Sequence, residues 1–393
     1  MLIPLVLAIM TQDPGDSVSL RMALARARAT RGQVTAAAAQ VAEARAALRS
    51  AGAVSNPTVS FSHTGAVPQE HFLFDQPLDF LLRRSPERSA ARARIAGAEA
   101  DSNRTMADLV REVRATFYGA LAATGGERLV AAQASQADSV ARIAAARLRA
   151  GDISLLEQEQ AAQEAARARQ TLSAARQAAR VAEAALARAI AWDRLEPPHA
   201  AGSLDDGLGD QPPDAPAADS LPAVRAAVAE SSATAALARS AAVQRIPLPS
   251  LQGGAEWNDP SQPGTLAVLG IALPLPLWQR GGGLAAEATA RARRAAALAG
   301  ETRLEATRAL REARVRLVES GGRARFARDS LLPQAALLRG RAVRAYQSGE
   351  TGILPVLDAL RSEREVVLAA VQDQLAFQEA LADWYALLGR VEE

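Results

Sequence analysis

Apolar residues along this chain follow two different periods, and the shorter period occurs in only two places. Residues 59–64 alternate between larger side chains and serine or threonine, and residues 251–257 alternate in a similar way. A period of two is typical of β-strands. A further candidate strand follows each of these stretches, at 71–82 and at 266–273. The pattern therefore predicts two β-hairpins, at about 57–82 and 249–277.

Elsewhere the apolar positions recur at helical spacing. Between residues 106 and 121 they lie three or four residues apart, which predicts an amphipathic helix. Ser85-Pro86-Glu87 suits the start of a helix, because a cap residue, a proline and an acid are all favoured there. We expect this helix to run to Gly151, with a weak point at Gly125-Gly126. Its 65 or so residues would span roughly 100 Å.

The same order of elements occurs twice. Gly151 matches Gly349, 198 residues later, and each glycine separates two helical stretches. Ser154 and Glu157 form a capping-box pattern that opens the helix after the first glycine. We expect two structural repeats, each built as helix, β-hairpin, long helix, glycine turn and helix. The predicted divisions are a possible signal-peptide remnant at 1–17, a first repeat at 18–192 with its turn at about 149–154, a linker at 193–218, and a second repeat at 219–393 with its turn at about 347–352.

One isolated β-hairpin in each repeat cannot be stable alone, and its edges need partner strands. Strands of about ten residues with one apolar face suit a transmembrane β-barrel closed by several chains. The long alanine-rich helices suit an extended helical tube. The expected fold class is therefore mainly α with two β-hairpins, arranged as a duplicated unit.

Charge and composition exclude several classes of protein. The formal net charge is only +2, which gives no field strong enough to indicate nucleic-acid binding. The chain has no cysteine, so it has neither disulfides nor thiolate metal sites. A short apolar run at 2–10 resembles a truncated signal peptide rather than a membrane span. Nowhere do 18 apolar residues run together, which argues against an inner-membrane helix.

The sequence offers no chemistry-bearing constellation. His63, His71 and His199 are scattered, and no spacing typical of a metal site occurs. Gly281-Gly282-Gly283 follows a strand and precedes a helix, but it lacks the lysine and hydroxyl residue of a phosphate-binding loop. We expect no enzymatic activity, no cofactor and no resident metal.

Several short motifs, repeated in the same order, carry a resemblance to a known family. They are Asn56-Pro57-Thr58-Val59, Gln76-Pro77-Leu78-Asp79, Leu273-Pro274-Leu275-Pro276-Leu277, Leu332-Pro333-Gln334, Tyr346-Gln347-Ser348-Gly349 and Leu357-Asp358-Ala359. With these motifs, residues 18–391 resemble the TolC-type outer-membrane efflux channels, and most of all the branch that serves heavy-metal pumps. The resemblance implies a homotrimer in the outer membrane that extends into the periplasm.

In such a trimer, four strands per chain would form a twelve-stranded barrel surrounded by outer-membrane lipid. The long helices would form a periplasmic tube that narrows at the glycine turns. There the channel would meet a periplasmic adaptor protein and, through it, an inner-membrane pump of the RND type. The resemblance thus implies an exit duct of a tripartite efflux system.

The resemblance also implies roles for particular residues. The adaptor-docking tip would consist of Arg149, Gly151, Asp152, Ile153, Ser348, Gly349, Glu350 and Thr351. The pore gate would consist of Tyr346, Glu157 and Asp358, with a hydrogen bond between the tyrosine and the glutamate within or between neighbouring helical hairpins. Thr351 and Pro355 depart from the charged residues that better-known members carry at those positions, so a simpler or looser constriction is expected.

Two other classes remain as alternatives at this point. A periplasmic adaptor also carries a long helical hairpin, but it carries one such hairpin within a lipoyl-like β domain. A coiled-coil scaffold would have no use for two proline-bounded β-hairpins. The sequence does not identify the cargo, since metal ions, drugs and proteins leave cells through similar ducts.

Overall fold

The structure is a computed structural model that describes residues 17–211, 213–243, 245–275, 277 and 281–390. The signal-peptide prediction falls almost entirely outside these residues, as do Pro276, Trp278 and Arg280. The chain divides into two compact units, one formed by residues up to 34, 105–215 and from 308 onwards, and the other by 35–104 and 216–307. Each unit contains segments of both sequence repeats.

Helices make up most of the described chain. In order they are α1 Leu20–Thr30, α2 Gly32–Ser50, α3 Phe80–Ala150, α4 Leu155–Ala189, α5 Pro222–Val243, α6 Gly282–Phe326, α7 Leu332–Gln347 and α8 Ile353–Leu387. The longest, α3, has 71 residues and is about 105 Å long at 1.5 Å per residue. The capping box is confirmed, because the Ser154 hydroxyl accepts from the Glu157 amide and the Glu157 carboxylate accepts from the Ser154 amide.

The strands form two sheets. The short strands β1 (Ser17–Val18) and β4 (His199–Ala200) pair in parallel. A four-stranded antiparallel sheet contains β2 (Thr58–His63), β3 (Glu70–Pro77), β5 (Ser250–Trp257) and β6 (Leu266–Ala272), in the order β2-β3-β5-β6. Within the described part of the chain, β2 and β6 each have one edge without a partner strand. The predicted fold class, mainly α with two β-hairpins, is confirmed.

The register of this sheet separates an apolar face from a polar one. Successive side chains of a strand point to opposite faces. Phe61 pairs with Phe72, and Val59 pairs with Phe74. Phe74 pairs with Gly253, which in turn pairs with Leu269, so all of these positions share one face. Phe61 is 62% exposed and Leu269 is 87% exposed. On the other face, the Asp75 carboxylate accepts from Ser250 (2.7 Å) and Gln252 (2.9 Å). One face of the sheet therefore presents apolar groups to its surroundings.

Two details of helix α3 differ from the predictions. Helix α3 begins at Phe80, so Pro86 lies inside it rather than at its start. The chain turns into the helix directly after β3, where the amides of Leu81 and Arg83 donate to the carbonyls of Leu78 and Asp79. Gly125-Gly126 does not interrupt α3, because packing of neighbouring positions outweighs the weak helix propensity of glycine.

The second long helix is interrupted instead at a place that was not predicted. Residues 327–331 form a π-helical turn between α6 and α7. Pro333 follows in the first turn of α7, and a proline has no amide hydrogen to continue an α-helical ladder. Such one-turn π segments are a usual way to accommodate a local mismatch in the ladder.

The first helix and the linker also differ from the predictions. The helix predicted to open the first repeat breaks at Arg31, whose extended backbone ends α1. The segment at 193–218 is not a free linker, because Gln378 of α8 donates to the carbonyls of Leu204 and Asp206 (2.8 and 2.7 Å). Leu208 in this segment is buried. The composition of the segment could not reveal this docking, since the partners lie some 170 residues away.

The cores of the two units contain both large apolar side chains and many alanines. In the first, Leu109, Val113, Phe117 and Leu186 pack with Leu24 of α1. In the second, the buried residues are mostly alanines of α3 and α5, and Gly97 lies against Ala229. Alanine allows helices to approach closely and has the highest helix propensity, which explains why an alanine-rich chain forms such long paired helices.

Candidate functional site: the two glycine turns

The two glycine turns have the same backbone structure. After α3, the Gly151 amide donates to the Leu148 carbonyl (3.0 Å) and the Asp152 amide to the Arg147 carbonyl (2.9 Å). After α7, the amides of Gly349 and Glu350 form the corresponding two bonds, of 3.2 and 2.9 Å. This pair of bonds is the Schellman motif, which satisfies the last carbonyls of a helix and requires a left-handed residue.

Glycine is needed at both turns for this reason. The backbone angle φ is +82° at Gly151 and +79° at Gly349. Other residues pay roughly 1–2 kcal/mol to adopt that conformation. No neighbouring atom lies within 4 Å of where a side chain would begin at either position. The need for glycine is therefore conformational and not steric.

A shared hydrophobic cluster brings the two turns into one site. Tyr346 of α7 and Ile353, Val356 and Leu357 of α8 are buried there with residues of α3 and α4. All of these elements belong to one compact unit at these positions. Segments from both sequence repeats thus build a single tip, as their matching positions within the repeats suggest.

The predicted docking residues differ in exposure. Arg149, Gly151, Asp152, Ser348, Gly349 and Glu350 are exposed. Ile153 is half-buried and packs on the hydrophobic cluster. Thr351 is also half-buried, and its hydroxyl is enclosed without a hydrogen-bond partner. The tip therefore presents a small polar surface over an apolar support.

Tyr346 lies at the centre of the tip. Its side chain is almost completely buried, and the Arg147 guanidinium lies 4.9 Å from the ring centroid. Arg147 also donates to the Tyr346 carbonyl (3.1 Å). Burial raises the pKa of the phenol, Arg147 opposes that rise, and Glu157 adds to it. The hydroxyl stays neutral at physiological pH and makes no hydrogen bond of good geometry within the chain.

Glu157 does not bond to Tyr346 within one chain. Its carboxylate instead accepts from the Ser154 amide at the start of α4 (3.3 Å). The predicted hydrogen bond between tyrosine and glutamate is thus not formed inside the protomer. Its formation between neighbouring protomers stays a prediction.

Asp358, the third predicted gate residue, lies on the first turns of α8. Its side chain is 75% exposed, and Arg361 is the charged group beside it, at 3.7 Å. An ion pair of that length and exposure contributes little. The carboxylate therefore remains available at the surface near the turn.

The structure adds a buried ion cluster that the sequence analysis missed. Glu164 of α4 is only 1% exposed, and its carboxylate oxygens lie 2.9 Å from Arg361 and 3.0 Å from Arg364, both on α8. Glu164 lies two helical turns after Glu157. A neighbouring pair joins Glu363 of α8 to Arg339 of α7 at 3.0 Å. The spacing of the two arginines, three residues apart, was a usable signal, but nothing local indicated which acid they would meet.

The described residues hold no group of three or more histidine, cysteine, aspartate or glutamate side chains arranged to bind a metal ion. Among the helices that the structure describes, none is both long enough and apolar enough to cross a membrane.

Comparison with known proteins adds independent information. The sequence profile of the outer membrane efflux protein family matches residues 23–191. Over 296 residues the chain is 29% identical to the cobalt-zinc-cadmium resistance protein CzcC of Cupriavidus metallidurans, a match that covers 73% of this chain and 69% of that protein.

Solved structures with the same fold span nearly the whole chain. CusC, a transmembrane channel, is similar with a TM-score of 0.78 and 19% identity, over 94% of this chain and 91% of that one. The outer membrane protein VceC of Vibrio cholerae is similar with a TM-score of 0.76 and 20% identity, over 95% and 97%. The likeness of fold therefore extends over nearly the whole chain.

Proposed function

This chain belongs to the outer membrane efflux protein family and is an outer-membrane efflux channel that extends into the periplasm, and we propose that it serves an RND-type pump. Channels of this family work with a periplasmic adaptor and an inner-membrane pump, and the chain is the exit duct of such a tripartite system. It is not an enzyme. The alternatives of an adaptor and of a coiled-coil scaffold are thereby excluded.

The open four-stranded sheet with one apolar face is the observation that carries the proposal. Its outer edges, β2 and β6, have unpaired backbone groups, which cannot remain unsatisfied in a bilayer. Three copies joined edge to edge form a closed barrel of twelve strands. The face that contains Phe61 and Leu269 then meets lipid, and the face that contains Asp75 lines the lumen.

The tip is proposed to dock the adaptor. The exposed turns at 149–152 and 348–350 lie side by side over one hydrophobic cluster, so an adaptor hairpin can contact both repeats at once. Asp152 and Glu350 occupy corresponding positions directly after the two glycines. We assign them, with Arg149, to the docking surface.

The tip is also proposed to contain the gate. Two hydroxyls, those of Tyr346 and Thr351, are buried there without partners, and leaving a buried hydroxyl unsatisfied costs about 1–3 kcal/mol. A group of a neighbouring protomer, with Glu157 as the candidate for Tyr346, can satisfy them in the closed trimer. Asp358, repeated by a threefold axis, forms an acidic ring that favours cations.

Divalent metal cations are the proposed cargo. The support is the similarity to a cobalt-zinc-cadmium resistance protein over most of the chain. An acidic ring at the narrowest point suits the passage of such ions. Discrimination between metals is assigned to the pump.

The experiment combines pore formation with crosslinking. Purified protein should migrate as a trimer and form ion-conducting pores in planar bilayers. In this cysteine-free chain, single cysteines at Asp152 and Glu350 should crosslink to the hairpin tip of the cognate adaptor, and a cysteine at the half-buried Gly125 should not. Monomeric protein without conductance would overturn the channel assignment, and crosslinking only from Gly125 would overturn the docking assignment.

A further inference from the structure

The first turns of α3 carry a basic face with no compensating acid. Arg84, Arg88 and Arg92 are spaced by four residues, so their side chains follow one face of the helix over about 12 Å. Together with Phe80, Leu81 and Ser85 they line an open depression. All of these residues belong to one compact unit.

Arg83, which lies next to this face, has the acidic partners that the three arginines of the face lack. Arg83 forms ion pairs with both Asp79 (3.0 Å) and Glu87 (2.9 Å). In the described part of the chain, none of Arg84, Arg88 and Arg92 forms an ion pair or a side-chain hydrogen bond with an acid. Like charges at this spacing repel one another.

The helix itself adds to the excess of positive charge. These residues lie near the N-terminus of α3, the positive end of the helix dipole. Cations at that end are unfavourable, and among the described residues the nearby carboxylates of Asp79 and Glu87 pair with Arg83 rather than with Arg84, Arg88 or Arg92. The depression therefore has the charge of a site for an anion from outside the chain.

The position of the depression indicates which anion. Helix α3 begins three residues after β3 ends at Pro77, at the end of the sheet from which the helices continue. The apolar face of the sheet reaches the same end through Val59 and Phe74, and Leu81 on α3 continues it with a 64% exposed side chain. A membrane protein typically changes from apolar to basic side chains where it leaves the bilayer. The same change occurs here, from the apolar residues beside the strands to the arginines further along α3.

The distances fit the lipid headgroup layer. That layer is about 5–8 Å thick on each side of the bilayer core, and Arg84 lies about 6 Å along the helix from Phe80. Arg88 follows at about 12 Å, and Arg92 lies beyond it but within about one to two Debye lengths of the layer at physiological salt. Phe80 and Leu81 are placed to contact acyl chains while the arginines contact phosphate.

We propose that Phe80, Leu81, Arg84, Arg88 and Arg92 form a binding site for an anionic phospholipid of the periplasmic leaflet. The guanidinium groups bind the phosphate, for which their planar donors are well suited. The inference rests on the proposed function, because the barrel places this end of the sheet at the periplasmic face of the outer membrane.

The test measures lipid retained by the purified trimer. The protein is solubilised from vesicles that contain phosphatidylglycerol and phosphatidylcholine in equal amounts, and native mass spectrometry counts each lipid bound. The compared proteins are the unaltered chain, the double variant Arg84→Gln/Arg88→Gln, and the control Arg94→Gln. Arg94 lies on the same helix, is exposed, and points away from the depression by helical geometry.

We expect phosphatidylglycerol to be retained in preference to phosphatidylcholine by the unaltered chain and by Arg94→Gln. The double variant should lose that preference by roughly tenfold, since each basic residue near a membrane surface contributes to anionic-lipid binding. Equal retention of both lipids by the unaltered chain would overturn the proposal, and that comparison requires no variant to fold. Equal loss in Arg94→Gln would also overturn it.

A competition experiment distinguishes binding of a lipid from binding of a soluble anion. If millimolar inorganic phosphate displaces phosphatidylglycerol as readily as added phosphatidylglycerol does, the site is one for free phosphate and the lipid assignment is wrong. Trimer mass and conductance are measured on the same preparation. Failure of the channel assignment, seen as absent trimers and pores, is thus distinct from failure of the lipid site in a conducting trimer.

Discussion

At the scale of single residues, buried charge is concentrated near the tip. Glu164 is nearly inaccessible to solvent and holds Arg361 and Arg364 of another helix. A buried ion pair is not by itself evidence of high stability, because desolvation offsets much of the attraction. Removal of one partner destabilises the protein, since the remaining charges then stay buried and unpaired. The cluster therefore fixes how α4 and α8 lie against each other.

Glu164→Gln should lower the stability of the protein by about 3 kcal/mol, the low end of the range for breaking a buried pair, because the two arginines reach solvent in part. The matched control is Glu159→Gln, an exposed acid on the same helix. Thermal loss of helical circular dichroism in detergent should occur several degrees lower for Glu164→Gln only. Equal melting of the two variants would show that the cluster does not contribute.

Glu363 gives a pH-dependent prediction. Burial raises the pKa of this carboxyl, and Arg339 opposes the rise only in part. A raised pKa in the folded state means that ionisation destabilises the protein, so the contribution is favourable below the unfolded pKa and is lost as the pH rises through the folded value. The melting temperature of Glu363→Gln, which cannot ionise, should therefore rise relative to that of the unaltered protein as the pH increases.

The difference should change in the opposite direction as the pH falls towards 4.5, where the raised pKa leaves the folded carboxyl more protonated than the unfolded one. Melting curves between pH 4.5 and 8 measure it. Glu365→Gln, an exposed acid two residues away, serves as the control and should show no such trend. A constant difference between Glu363→Gln and the unaltered protein at every pH would contradict the prediction.

At the scale of elements, the sequence predicted the features that depend on a few adjacent residues. The period-two stretches, the capping box at Ser154 and the glycine turns each depend on a few adjacent residues, and each of these elements is present. The break at Arg31 accompanies contacts with distant segments, since its guanidinium donates to the Arg188 carbonyl and to the Glu112 carboxylate. Sequence patterns within one window contain no information about those contacts.

In the candidate site too, some features could be predicted from the sequence and others could not. The two turns were found because their glycines recur 198 residues apart, and a left-handed backbone requires glycine whatever surrounds it. The enclosure of Tyr346 by Arg147, and of Glu164 by two arginines, could not be found. Each of these contacts joins residues almost 200 positions apart.

The strand faces lead to a prediction at this scale. Phe61 belongs to the apolar face of the sheet and Ser60 to the other face. Phe61→Arg should impair assembly by roughly 2–4 kcal/mol if it lies near the midplane of the bilayer. Ser60→Arg should be tolerated far better, because the lumen of such a barrel is polar. The yield of trimer in isolated outer membranes measures both, and equal yields would show that the faces are assigned wrongly.

At the scale of the whole molecule, two independent features require further copies of the chain. The sheet has two open edges, and the tip encloses two hydroxyls without partners. We propose that closure of a barrel satisfies the first feature and that contacts between neighbouring tips satisfy the second. A trimer that satisfies both at once couples barrel assembly to closure of the tube, while adaptor binding can still shift the tip towards an open state.

The gate supplies the last prediction. Tyr346→Phe removes only the hydroxyl and keeps the ring packed against Arg147, so the protomer should fold normally. If the hydroxyl bonds to a neighbouring protomer, its loss removes a bond of about 1.5–3 kcal/mol when the partner is charged, three times per trimer. Single-channel conductance in planar bilayers should therefore rise.

Asp358→Asn should weaken block by divalent cations, because three carboxylates around a narrow pore attract such ions strongly. Glu379→Gln, an exposed acid about six turns further along α8, should leave the block unchanged. Conductance and block that both match the unaltered channel would assign Tyr346 to packing and Asp358 to the solvated surface. The constriction would then lie elsewhere along the tube, and the orphan hydroxyls of the tip would need another partner.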